Sequence, residues 1–226
     1  MITGLPSYLI ITFLAAVALT YQLFITAVKD KKLPTFIIFA WLIITAVLAY
    51  TGFLANTTGI PPRFLLAVAP ALVFIVFLLI SPKGQTFLQT LDLRMLTLLH
   101  IVRIPVELSL YWLAAQKAVP DLMTFAGSNF DIVAGITAPV MYFVCFNGKE
   151  VKRRKLLLAW NLVCVGLLLN IVITAVLSAP FSFQRLAFDQ PNIAVLFFPF
   201  VWLPSFIVMT VLLSHLAAIG QLQKKP

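Results

Sequence analysis

The sequence predicts an all-α membrane protein, a polytopic bundle of seven transmembrane helices with its amino terminus outside the cytoplasm and its carboxyl terminus inside. Hydrophobic residues fill 62% of the 226 positions, charged residues only 10%, and the mean hydropathy is +1.06. Such values lie outside the range of a chain whose main solvent is water. A bilayer core of about 30 Å takes roughly 20 apolar residues per helix, so runs of that kind consume most of the length and make residues 1–226 a single membrane domain. The third observation is the unequal sharing of basic residues between alternate connections.

The spans are predicted at residues 5–28, 34–55, 64–80, 95–115, 132–146, 156–177 and 192–218. The first run carries small residues at Ala16 to Ala18 but no basic leader, so it reads as a retained span and not a removed signal. One set of alternate connections holds Lys29, Lys31, Lys32, Lys83, Arg94, Lys149, Lys152, Arg153, Arg154, Lys155, Lys224 and Lys225; the other holds Arg63, Lys117 and Arg185. Twelve against three assigns the first set to the cytoplasm.

Three connections exceed a turn. Residues 84–94, with Phe87, Leu88, Leu91 and Leu93, read as an interfacial helix on the inner surface. Residues 121–130 and 179–190, rich in Phe and Leu, read as segments folded onto the outer helix ends, anchors in the aromatic belt in preference to a lid. Asn56-Thr57-Thr58 has the form of a glycosylation sequon but lies hard against the membrane and reads as a turn. Cys145 and Cys164 fall in the inner halves of two helices and read as free apolar fillers.

The net charge of +9 sits in short loops between apolar runs. That placement predicts an anionic leaflet as neighbour and argues against nucleic acid. The expected partners are the lipid bilayer and a small-molecule or ion ligand, with the oligomeric state open.

His100, Arg103, Glu107 and Tyr111 fall within about 80° of one another on the fourth helix, a polar stripe on an otherwise apolar rod. Exposing Arg or Glu to hydrocarbon costs about 2.5 kcal/mol or more each, so the stripe is expected to face protein or a water-filled site. Arg103 and Glu107, four residues apart, are able to pair with each other or with neighbours. Pro105 lies between them, lacks an amide proton and predicts a kink.

His215, near the inner end of the seventh span, matches His100 in depth. Two facing histidines at one depth are a candidate haem or metal pair, with Arg103 or Arg94 near the propionates. Glu107 is not expected to join the same ion, because seven residues of helix rise about 10.5 Å. In the sixth span Asn161 and Asn170 lie on opposite faces, and Asn170 with Thr174 is the preferred interior pair. Asp189, ahead of Pro191, and Asp131 read as helix caps, and with Asp121 they are a candidate outer cation attractor. Pro199 and Pro204 are expected to loosen the last helix beneath an aromatic collar and open a cavity for an apolar ligand.

Retinal needs a Lys in the last span and none lies there, so no retinal is expected; a three-histidine zinc hydrolase is disfavoured because the chain has 2 histidines. No phosphate loop, dinucleotide fingerprint or catalytic triad is present, which weighs against an enzyme; no internal repeat is detected either, and an odd number of spans does not divide into the two inverted halves common among transporters. At Arg103-Ile-Pro105-Val-Glu107, Pro120-Asp-Leu-Met-Thr-Phe125, Asn129-Phe-Asp131 and Phe188-Asp-Gln-Pro-Asn192 the chain resembles uncharacterised bacterial multi-pass membrane proteins of about this length. The resemblance implies a bacterial inner (plasma) membrane and no activity.

The leading expectation is a protein that binds or moves a small molecule, proton or ion through a polar centre of His100, Arg103, Glu107, Tyr111 and Asn170. The alternatives are a haem- or metal-binding redox protein or enzyme using His100 and His215, and a non-catalytic membrane subunit or scaffold presenting the basic run 149–155.

Overall fold

The computed structural model describes residues 4–224, so Lys225, counted above, lies outside the described residues. The chain forms α1 (Ser7–Ala27), α2 (Lys32–Tyr50), α3 (Leu65–Ile80), α4 (Pro82–Thr90), α5 (Leu93–Leu99), α6 (Arg103–Ala115), α7 (Ile132–Cys145), α8 (Arg154–Leu177) and α9 (Val208–Gln223). A 3-10 turn, His100–Val102, joins α5 to α6 in one rod, and a π turn, Leu203–Ile207, leads into α9. The α7–α8 connection is a hairpin in which Phe146–Asn147 pairs with Glu150–Val151.

The α5/α6 rod and the rod ending in α9 are the most buried, while α2 and α8 are peripheral. On α1 the buried positions Leu9, Phe13, Ala16, Val17, Thr20, Phe24 and Ala27 recur at three- and four-residue steps, making the stripe that packs on α5/α6. The opposite faces carry exposed Ile11, Phe36, Ile43, Val73, Phe77, Phe143 and Val163. Five helical stretches are long and apolar enough to cross a membrane, six if α3 and α4 are one bent pair. At 14 residues α7 is shorter, rising about 21 Å. The helices are consistent with a membrane protein, since a rod that satisfies its own backbone is what hydrocarbon tolerates.

Hydrogen bonds between distant segments mark the two ends. At one end the Asp92 amide donates to the Ala27 carbonyl, the Gln221 side chain to the carbonyls of Leu88 and Leu91, and the Arg154 guanidinium to those of Gln221, Leu222 and Lys224. The basic connections gather there. At the other end the amides of Ile193 and Ala194 donate to the Ala118 carbonyl, and Gln190 Nε2 to those of Ala114 and Val119. Met123, Asn129, Ala179 and Phe181 are buried at this end, so both long connections do fold onto the helices.

The chain turns 91° between α3 and α4. Gly84 permits it: a Cβ there would stand 2.4 Å from the Leu78 carbonyl oxygen. The expected kink at Pro105 takes the form of the 3-10 turn just before it, which tightens the chain where the proline ring would clash with the Ile101 carbonyl.

The last helix departs from expectation. Residues 192–202 do not form helix beyond the single turn Ala194–Leu196, and the rod begins at Leu203. Pro191, Pro199 and Pro204 remove amide donors and bias their predecessors to extended backbone, so the helical ladder does not start until the last proline sits in its first turn. Asp189 therefore caps no helix and is exposed. The single turn Ala194–Leu196 and the non-helical Phe200 and Val201 are instead buried inside the bundle.

Candidate functional site

The fourth rod delivers three of its polar residues to the interior. His100, Arg103 and Glu107 are each at most 2% exposed. Tyr111 does not follow them: it is 44% exposed and stacks on Phe125 with ring centroids 5.1 Å apart. Leu110, Leu113 and Ala114 in the same turn stay buried, so the rod is still packed at this height and only its Tyr111 side is uncovered; equal angle on the helix does not give equal burial.

Arg103 does not pair with Glu107. Its Nη1 meets Asp131 Oδ1 at 2.5 Å, the one ion pair among the described residues. Asp131, expected as a cap, makes no side-chain bond to the first turn of α7. Its carboxylate is drawn to the guanidinium because an unpaired buried charge costs far more than a lost cap. It is buried and paired, whereas Asp121 and Asp189 are exposed, so the three acids do not converge on a cation. The pair forms because α7 comes close to α6 at Gly135, where a Cβ would lie 3.0 Å from Ile104 Cγ1 and 3.2 Å from Arg103 Cβ. Ala134 and Ala138 extend this small-residue contact.

The second guanidinium nitrogen, Arg103 Nη2, lies 2.8 Å from His215 Nε2. Arginine only donates, so Nε2 accepts and the ring proton is on Nδ1, where it donates to Asn161 Oδ1 at 2.8 Å. Asn161 is oriented for this by its own Nδ2, which donates to the Leu157 carbonyl. Asn170, expected in the interior, is exposed and donates to the Ser128 carbonyl, while Asn161 is the buried asparagine of α8.

His100 stacks on His215 with centroids 3.8 Å apart and planes 14° from parallel, and Trp160 meets its edge at 5.4 Å. The depth match is therefore real, but the arrangement is not that of a shared metal or haem. Ring-nitrogen lone pairs lie in the ring plane, so stacked rings aim them side by side instead of at one ion, and both His215 nitrogens are already bonded. No cluster of three His, Cys, Asp or Glu able to hold a metal occurs among the described residues. Arg94, offered as a propionate partner, donates to the Tyr142 hydroxyl at 2.6 Å. Cys145 and Cys164 are free and buried.

Glu107 closes the cluster towards the other end. Its Oε1 accepts from Asn129 Nδ2 at 2.7 Å, and Asn129 Oδ1 accepts the Asp131 amide. Its Oε2 is buried with no partner. Glu107 stands in the wall of a cavity of about 190 Å³ in the half of the bundle away from the basic end. Apart from Glu107, Asp131 and Asn192 the lining is apolar, including Val106, Leu110, Leu168, Ile171, Val195 and Met209. Asn192 Oδ1 is a second buried acceptor without a donor. The irregular run that replaced the expected helix supplies Asn192 and Val195 to this wall, which is where non-helical backbone inside such a bundle is tolerated.

Asn129, Asp131, Asn161 and Asn192 were the site residues that helix periodicity on α6 did not reveal. The signal for two of them was present, since Asn129 and Asp131 flank Phe130 immediately ahead of the apolar run that begins at Ile132.

Fold and site together define an all-helical protein with helices apolar enough for a membrane, built around a buried charged cluster that opens on an apolar cavity. A family model described as a domain of unknown function, DUF8737, matches residues 60–223, and the chain belongs to that family. The match runs from α3 to α9 and contains every residue of the cluster. No curated protein and no solved structure matches the chain.

Proposed function

We propose that this is a seven-span protein of the bacterial plasma membrane, its basic end in the cytoplasm, and that it binds a small lipophilic amine as its cation in the cavity beside Glu107. The observation that carries the reading is the unpartnered Glu107 Oε2 in a wall that is apolar apart from Asp131 and Asn192. A buried acceptor without a donor costs about 1–3 kcal/mol, more when charged, and a ligand that supplies the donor recovers it.

Charge selects the kind of donor. The cluster holds one guanidinium, Arg103, and two carboxylates, Asp131 and Glu107, all buried. The missing positive charge comes either from a proton on Glu107 or from an ammonium group on the ligand, so the two compete for one oxygen. Each therefore weakens the other by the same factor, which is the elementary requirement for exchanging a cation against a proton. Asn192 Oδ1, in the wall of the same cavity, is a second acceptor without a donor.

Volume limits the ligand. Since an engineered apolar cavity of about 150 Å³ admits benzene, one of about 190 Å³ takes a single ring with a short arm. Benzylamine is the probe that follows. In phosphatidylcholine nanodiscs, titration calorimetry is expected to give an affinity that falls at least about tenfold in Glu107→Gln while benzyl alcohol binds both proteins alike. Equal benzylamine affinity in the two proteins would overturn the reading.

A further inference from the structure

A second hollow, of about 620 Å³, lies between α2, α3, α4 and the start of α9. It shares Met209 with the Glu107 cavity but lies towards the basic end. Its sides are apolar: Phe24 from α1, Ile37 and Trp41 from α2, Phe74 from α3, Phe206 and Leu213 from the last rod. The hollow exists because α2 stands off from the bundle. Two indole bonds pin its middle, Trp41 Nε1 to the Ser205 carbonyl and Trp202 Nε1 to the Leu42 carbonyl, both at 3.0 Å. Below them, towards the basic end, the gap is unfilled.

Two features say what fills it. Along α2 the lining runs from Leu33 to Ile44, about 16 Å of helix rise, which is the depth of one leaflet of a core about 30 Å thick. At its mouth stands Lys83, exposed, in the first turn of α4 where that helix turns 91° away from α3. Lys83 has no carboxylate partner among the described residues. Lys29, Lys31 and Lys32 are exposed at the foot of α2, where the nearby Asp30 carboxylate is turned to the Lys32 amide.

We infer that this hollow holds one acyl chain of an anionic phospholipid from the cytoplasmic leaflet, with the phosphate at Lys83. The inference rests on the membrane orientation proposed above but not on the amine site. A groove one leaflet deep, open to the side and apolar apart from Ser205, Thr210 and the Lys83 at its mouth, matches a lipid tail, and that cation supplies a preference among headgroups.

The test is native mass spectrometry of the protein reconstituted into equimolar phosphatidylglycerol and phosphatidylcholine. The expected result is one retained lipid per chain with about a fivefold preference for phosphatidylglycerol, the worth of one lysine at the surface. Lys83→Gln should bring the ratio close to one without loss of folding, because Lys83 is exposed. Ala71→Phe, which fills the groove from α3, should remove the retained lipid of either kind. A ratio unchanged in Lys83→Gln, or a lipid still retained in Ala71→Phe, overturns the inference. Flotation of the same samples with phosphatidylcholine vesicles reports membrane insertion alone, so a failure of the membrane reading is seen separately.

Discussion

Arg103 and Asp131 meet at 2.5 Å from two different helices, both nearly excluded from solvent, and no second ion pair occurs among the described residues. Removing one partner leaves a buried charge alone. Arg103→Met is expected to cost about 3–5 kcal/mol, while Arg103→Met combined with Asp131→Leu should recover much of that loss. Thermal unfolding in detergent, followed by fluorescence, checks both. A double variant no more stable than Arg103→Met would show that the pair is not what holds α6 to α7.

The pair depends on Gly135. Ala at this position presses on Ile104 Cγ1 and Arg103 Cβ at 3.0 and 3.2 Å, contacts that a small shift relieves. Gly135→Leu has no such escape and should cost about 1–3 kcal/mol by overpacking, with loss of benzylamine binding as Asp131 and Asn129 move away from Arg103 and Glu107. Gly135→Ala with unchanged binding and Gly135→Leu without it is the expected pattern.

His215 is held through both ring nitrogens, by Arg103 and by Asn161. Asn161→Leu strands the Nδ1 proton in the interior and should destabilise by about 1–3 kcal/mol. The purified protein should show no haem absorption band, and a chelator should leave its melting temperature unchanged, because the stacked rings do not converge on an ion. A melting temperature that falls with chelation would contradict this.

The proposed orientation is open to labelling. In a Cys145→Ser, Cys164→Ser background, Lys149→Cys in the α7–α8 hairpin should react with an impermeant maleimide only from the cytoplasmic side. Ser182→Cys, in the exposed connection after α8, should react only from outside. Reaction of both from one face would remove the topology.

Local chemistry made the rods legible. An apolar run of helical length is the same signal wherever it sits, so α1, α2, α3, α5/α6, α7 and α8 fall where the hydropathy pattern puts them. Arg103 and Glu107 were likewise readable as interior, since few other environments accept such groups in an apolar helix. The last helix starts later than its apolar run predicts, because the same apolar composition serves a buried largely non-helical segment, and only its prolines mark the difference.

What the sequence by itself determined is the all-helical class, the rods, the gathering of basic residues at alternate connections and the burial of the charges on α6. Partner choice was decided by the tertiary structure alone. Helical periodicity gives the angle between two residues on one rod but not the rotation of that rod against its neighbours, nor where the neighbours stop. That is why Asn161 and not Asn170 reaches His215, why Tyr111 turns outward, and why Asp131 serves Arg103 and not its own helix.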